Sequence, residues 1–442
     1  MKSILFSALL MFTLAGGICS AQTKAARGTA ARREMVPAPV GSPSAAAIPA
    51  HPSPYNIPGA QYPRIESDLR VTFHFKAPDA KKVQVAITNE NNNQGFDMVK
   101  GDDGVWTFTT EPLHPGFREY WMIVDGAVVV DPSSYTDLGW GRICNGLEIP
   151  EPGVDFYTLK DVPHGDVLIK DYFAKTSNTW RHIYIYLPPG YYTNAATRYP
   201  VLYLQHGGGE DARAWLDDGH VNWILDNMLA EHRIKPMIAV MEASDMPGGG
   251  GARGAAAAGA GGGPGAGPRP GGGFGMPPGG GAYGQLVIND LIPWIDGHYR
   301  TLADKDHRGI AGLSAGAMQT VAISMVHLDK FSYIGLLSGG AASGFGPNRS
   351  GPVPTAAPPP LDLKTMYSGA MADPAEFNKK VKVLFFSSGT ELPLENPEGL
   401  KLHYQQLVDA GITNAYLYLS PGTAHEWQNW RRSLYVFAPL LF

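Results

Sequence analysis

From Leu69 onward, apolar and polar residues alternate. "RVTFHF" sets Val71, Phe73 and Phe75 on one face, and "KVQVAI" does the same with Val83, Val85 and Ile87. A period of two is that of a strand with one face against a core. "GVWTFT" and "EYWMIVDGAVVVDP" continue the pattern, and Asp125-Gly126 supplies a hairpin turn. Short, closely spaced strands without a helical period predict a small all-β sandwich over residues 61–150.

After residue 166 the pattern changes to apolar strands separated by amphipathic helices. "HIYIYLP", "YPVLYLQ", "PMIAVMEA", "RGIAGLS", "YIGLLSG", "VKVLFFSSG" and "AYLYLSPG" read as strands. "VNWILDNMLAEH", "QLVINDLIPWIDGHY", "AGAMQTVAISMVH", "EGLKLHYQQLVDAG" and the terminal "WQNWRRSLYVFAPLLF" read as helices. Such alternation predicts an α/β fold over 166–442, a mostly parallel sheet with helices on both faces.

Three segments fall outside this pattern. The start, "MKSILFSALLMFTLAGGICSAQ", has one Lys, an apolar run from Ile4 to Leu14 and then small residues, which predicts a signal peptide over 1–21. The run falls short of the ~20 apolar residues that span a bilayer. Residues 22–60, rich in Ala, Pro and Ser, read as a flexible linker. Residues 247–282 contain 32 Gly, Ala or Pro in 36 positions, too little apolar surface to offset ordering entropy, and are expected to be disordered. This insert follows a strand, so it hangs at the face where open α/β sheets bind ligands.

Charge narrows the partners. The chain carries a formal −5, but residues 1–60 are net positive, which leaves near −9 on the remainder. An acidic body argues against nucleic acid and, once the signal is removed, against anionic membranes. Of two cysteines, Cys19 would leave with the signal and Cys144 would stand alone. An exported chain without a disulfide fits a bacterial periplasmic or secreted protein that relies on its core.

The candidate chemistry lies in the α/β region. "HRGIAGLSAGAMQT" holds a G-x-S-x-G around Ser314, though 54 glycines make the pattern alone inconclusive. Its context decides: a strand precedes Ser314 and a helix follows, the arrangement of a nucleophile elbow. The Ala315 amide at the helix start then faces a developing oxyanion. "YLQHGGGED", after an early strand, resembles an oxyanion loop, in which the Gly207 or Gly208 amide would be the donor. His206 within it has no second His or Cys at metal-ligand spacing. His425, on the loop after the last strand in "SPGTAHEWQNWRR", is the candidate base. The chain order Ser, acid, His is that of α/β-hydrolases, and it puts the acid in "SSGTELPLENPEG". Glu391 is the first choice, being closest to the strand end. Glu395 is the runner-up, and Glu398 falls in the first turn of the next helix.

Together, "YPVLYLQHGGGED", "LIPWIDGHYRTLADKDHRGIAGLSAGAMQT", "LDKFSYIGLLSG" and "GTAHEWQNWRRSLYVFAPLLF" resemble the secreted bacterial esterases of the esterase D type, carbohydrate esterase family 1. The alternating region before them resembles the early-set, glycogen-binding-like modules that precede such esterases. The resemblance implies a serine esterase acting on feruloyl or acetyl esters of plant cell-wall polysaccharides, with no metal or organic cofactor. Its acid position falls on Leu392, one residue after Glu391. Three alternatives share these features: a carbohydrate-binding protein with a degenerate hydrolase domain, an acyltransferase, and a siderophore esterase.

Overall fold

The alternating stretches pair into two antiparallel sheets packed face to face. The structure, a computed structural model, describes residues 35–41, 48–91, 94–243, 278–339, 361–391 and 394–442. One sheet joins β1 (His51–Pro52), β2 (Arg64–Ile65), β3 (Val71–Lys76), β7 (Val105–Thr109) and β6 (Val99–Lys100) in that order. The other runs β10 (Thr136–Gly139), β11 (Arg142–Ile149), β8 (Gly116–Val124), β4 (Val83–Ile87) and β5 (Phe96–Asp97), with β9 (Ala127–Val129) on β8. Val71, Phe73, Val83, Val85, Ile87, Tyr120 and Met122 fill the space between them. Asp125 and Gly126 form the β8–β9 turn with φ of 49° and 88°, the double positive φ of a tight hairpin. Trp106 and Trp121 are buried in this module, so neither ring is a surface platform.

Part of the segment read as a linker belongs to the fold. Ala38 is buried in a core cluster with Met35 packed against it, the Gly41 amide donates to Glu151, and β1 pairs with β2. Its Ala/Pro composition suggested an unattached chain; the apolar residues that dock it are scattered, and their receiving surface comes from distant sequence. The signal-peptide and most of the insert expectations (1–21 and 247–277) lie outside the described residues. The last residues assigned to the insert are helical: Pro278–Gly280 make a 3₁₀ turn that leads into a helix from Gly281.

The second region is an eight-stranded sheet of β12 (Asp166–Ala174), β13 (Thr179–Leu187), β14 (Val201–Gln205), β15 (Ile238–Glu242), β16 (Arg308–Leu313), β17 (Tyr333–Leu337), β18 (Val383–Gly389) and β19 (Ala415–Ser420). Its order is β12-β13-β15-β14-β16-β17-β18-β19. β12, β13 and β15 meet antiparallel and all later neighbours are parallel. This is the α/β-hydrolase arrangement. Edge strand β12 escapes a pattern reading because most of its side chains face solvent. The helices are α1 (Ala214–Asp217), α2 (Val221–Ala230), α3 (Gly281–Leu286), α4 (Ile292–His298), α5 (Ala315–Ser324), α6 (Pro374–Lys380), α7 (Pro397–Asp409) and α8 (Trp427–Phe437).

Helix α8 joins the two regions. All its residues are buried, which a polar "QNWRRS" stretch does not suggest. One face packs Leu434 and Phe437 into the core beneath the sheet. The other meets the sandwich: Arg431 grips Glu148 with two hydrogen bonds of 2.8 Å, and Arg432 pairs with Glu151 at 2.5 Å. The described residues from 35 to 442 therefore form one compact unit.

Candidate active site

Ser314 sits at the C-terminal edge of the parallel sheet, between β16 and α5. Its backbone, at φ 51° and ψ −116°, lies in a region that non-glycine residues avoid, at a cost of about 1–3 kcal/mol. The turn is held by the Ser314 amide donating to the Leu337 carbonyl at 2.8 Å. Flanking glycines make the sharp turn possible. A Cβ on Gly312 would lie 2.3 Å from the Gly316 carbonyl oxygen, and one on Gly316 would lie 2.5 Å from that of His206. The strain lifts the serine side chain off the sheet edge, where it is partly exposed.

The loop after β19 brings His425 over this serine. The Ser314 hydroxyl is 2.9 Å from His425 Nε2, and His425 Nδ1 is 3.0 Å from Glu395 Oε1. Nδ1 donates to the carboxylate, which leaves Nε2 to accept from the hydroxyl. Trp430 lies edge-on to the imidazole, with ring centres 5.1 Å apart at 89°. Glu395 is buried, and its other oxygen accepts from Ser388 at 2.6 Å. Asn429, one helical turn beyond His425, adds a donor to Glu395 Oε1 at 3.2 Å. Ser388 and Asn429 lack a sequence signature, since what marks them is proximity to a carboxylate placed by tertiary structure.

The carboxylate beside His425 is therefore Glu395 and not Glu391. Glu391 is exposed, and its side chain accepts from Thr390 at 3.0 Å. Its backbone amide donates to the Thr423 carbonyl of the histidine loop at 3.0 Å. That pairing turns the Glu391 side chain outward, and the chain returns under the histidine four residues later. Glu398 lies in the first turn of α7 and pairs with Lys401.

In the glycine loop after β14, the two candidate oxyanion donors, Gly207 and Gly208, differ in what they bond. The Gly207 amide donates to the Glu210 carboxyl Oε2 at 2.6 Å, so it is engaged within the loop. Burial pushes the Glu210 carboxyl up to about 8. Gly208 is exposed, and a Cβ there would sit 3.6 Å from that of Ala315, so the two residues adjoin beside Ser314. His206 is buried, with Nδ1 donating to the Gly207 carbonyl at 2.8 Å. Among the described residues, no group of three or more His, Cys, Asp or Glu could hold a metal ion.

Comparison with known proteins places this geometry in a family. The chain is 35% identical over 399 residues to an endo-1,4-beta-xylanase/feruloyl esterase of Xylanibacter ruminicola, covering 88% of this chain and 47% of that protein. It is 24% identical over 309 residues to endo-1,4-beta-xylanase Y of Acetivibrio thermocellus, covering 66% of this chain and 24% of the relative. The chain thus spans less than half the length of either. In fold it is similar to the enterobactin esterase of Shigella flexneri, with a TM-score of 0.56 at 14% identity over 84% of this chain and 92% of that one. The Esterase family model matches residues 174–437, the stretch from the end of β12 to the end of α8 that carries Ser314, Glu395 and His425, and the chain belongs to that family.

Proposed function

We propose that this protein is an exported serine esterase that hydrolyses feruloyl or acetyl esters on plant cell-wall polysaccharides. The observation that carries the reading is the hydrogen-bonded line Ser314–His425–Glu395 built on a strained strand-to-helix turn. Ser314 attacks the ester carbonyl while His425 Nε2 takes its proton. Glu395, already the acceptor for Nδ1–H, orients the ring and stabilises the imidazolium. The Ala315 and Gly208 amides stabilise the oxyanion, with Gly207 serving as loop support. The same imidazolium then protonates the leaving alcohol. Water, deprotonated by His425, releases the acid from the acyl-enzyme.

The acyl group and polymer are proposed from the relative named as a xylanase/feruloyl esterase. Export is proposed from the apolar run between Ile4 and Leu14, and N-terminal sequencing of the cell-free protein should begin at Gln22.

The test is a panel of methyl ferulate, acetylated xylan and p-nitrophenyl acetate, run on the native chain and on Ser314→Ala. The native chain is expected to hydrolyse methyl ferulate or acetylated xylan as well as p-nitrophenyl acetate, and the variant to lose that activity by about 10³-fold or more. An equally active variant overturns the assignment. Hydrolysis of p-nitrophenyl acetate alone would keep the chemistry and reject the cell-wall substrate.

A further inference from the structure

The β-sandwich touches the reaction centre on two sides, at residues next to those that do the chemistry. The first contact is Arg118 on β8, whose side chain is 3% exposed and whose Nη1 donates to Glu426 Oε2 at 2.6 Å. Glu426 directly follows His425 and stands at the N-terminus of α8. Its other oxygen accepts the Ala424 amide at 3.1 Å. One carboxylate therefore ties the residue before His425 to an arginine of the other region. The guanidinium is itself fixed by the Phe117 and His114 carbonyls, at 3.2 and 3.4 Å.

The second contact reaches the glycine loop. The Gly141 amide, on the turn between β10 and β11, donates to the Gly209 carbonyl at 2.9 Å. The two backbones are so close that a Cβ on Gly209 would lie 2.6 Å from the Gly141 nitrogen. Gly208, whose amide is assigned to the oxyanion, is the preceding residue. The base and the oxyanion loop, on separate loops of the sheet, thus both contact the same sandwich module.

We infer that the sandwich is part of the catalytic machinery, with Arg118 acting as a positioning residue through Glu426 on His425. This rests on the esterase reading above. Arg118 touches no reacting atom. Its effect is on the imidazole, whose hydrogen bond to Ser314 depends on where the 424–426 backbone lies. A displacement of about 1 Å at such a centre costs on the order of 10²-fold in rate. The Glu148–Arg431 pair joins the same two regions farther along α8 and provides a control, because it bonds no residue of the histidine loop.

The experiment compares Arg118→Met, Arg118→Met/Glu426→Gln and Arg118→Lys with the control Glu148→Leu/Arg431→Met. Should Arg118→Met fail to fold, the double variant neutralises Glu426, the carboxylate Arg118 holds at 2.6 Å, and leaves only the partly exposed Glu90, 3.9 Å from Arg118 Nε, without its arginine. Kinetics on p-nitrophenyl acetate at 25 °C are read alongside circular dichroism, so that only folded protein is compared. The Arg118→Met variants should lose kcat by about 10- to 100-fold with KM within about threefold, Arg118→Lys should recover part of it, and the control should keep its kcat. Near-native kcat in the folded double variant, or an equal loss in the control, overturns the inference and reduces Arg118 to interface packing. Ser314→Ala is assayed in parallel. If it stays active, the failure lies with the esterase reading, not with the coupling.

Discussion

At the scale of single residues, Glu391 and Glu395 are four positions apart and chemically identical, yet only one lies beneath His425. Glu395 is buried with donors on both oxygens, from His425 and Asn429 on one and Ser388 on the other. Glu391 is exposed. Glu395→Gln replaces the acceptor facing Nδ1 and permits the wrong tautomer. Its kcat should fall on the order of 10⁴-fold with little change in melting temperature. Glu391→Gln should stay within about twofold of native. Parallel kcat measurements at pH 7 decide the matter. A collapse in Glu391→Gln alone would return the role to the carboxylate that the sequence favoured.

At the scale of elements, the decisive unit is β16, the turn at Ser314, and α5. The positive φ of Ser314 is held because strand and helix meet at a separation that only glycine allows. Gly316→Ala would drive a methyl to within 2.5 Å of the His206 carbonyl oxygen, and neither backbone can yield. It should cost about 1–3 kcal/mol in urea unfolding and lower kcat as well, because His206 opens the glycine loop proposed to hold the oxyanion. Gly208→Ala meets only a methyl at 3.6 Å, in ordinary van der Waals contact, and should leave stability unchanged. Equal stability losses in the two variants would contradict the packing described for the turn.

At the scale of the whole molecule, the sandwich and the sheet share a buried ionic seam. Arg431 is fully buried against Glu148, so Arg431→Ala strands a carboxylate and should destabilise by about 3–5 kcal/mol. Glu148→Leu/Arg431→Met should recover most of that loss in the same urea titration. Two other carboxyls predict a pH dependence: Glu119 on β8, which accepts from Thr88 at 2.8 Å, and Glu210 of the glycine loop. Burial and Asp137 push the Glu119 carboxyl up to about 7, and burial pushes Glu210 up to about 8, from an ordinary 4.5. The folded chain thus holds protons that the unfolded chain has released. The stability from these groups is complete below about 4.5 and is lost as pH rises through 7 to 8. Melting temperature should therefore decline across that window, and Glu119→Gln/Glu210→Gln should flatten the decline. An unchanged slope would mean that neither carboxyl holds its proton in the fold.

Much of this was legible before any coordinates. Period-two alternation set out β3, β4, β7, β8 and β9 of the sandwich but not its shorter strands or β11, and apolar runs between amphipathic stretches set out the parallel sheet. Both patterns report which face of an element meets a core, a local property of the chain. Ser314 was legible because its turn requires glycines at fixed offsets, and His425 because it follows the last strand. Tertiary structure alone decided which glutamate lies beneath His425 and that residues 35–41 pack into the fold. It also decided that the polar face of α8 is buried. The physical reason is common to all three. A hydrogen-bond partner or ion pair between groups up to hundreds of residues apart, such as Arg118 with Glu426, is set by where two backbones meet in space, and no local periodicity records that meeting.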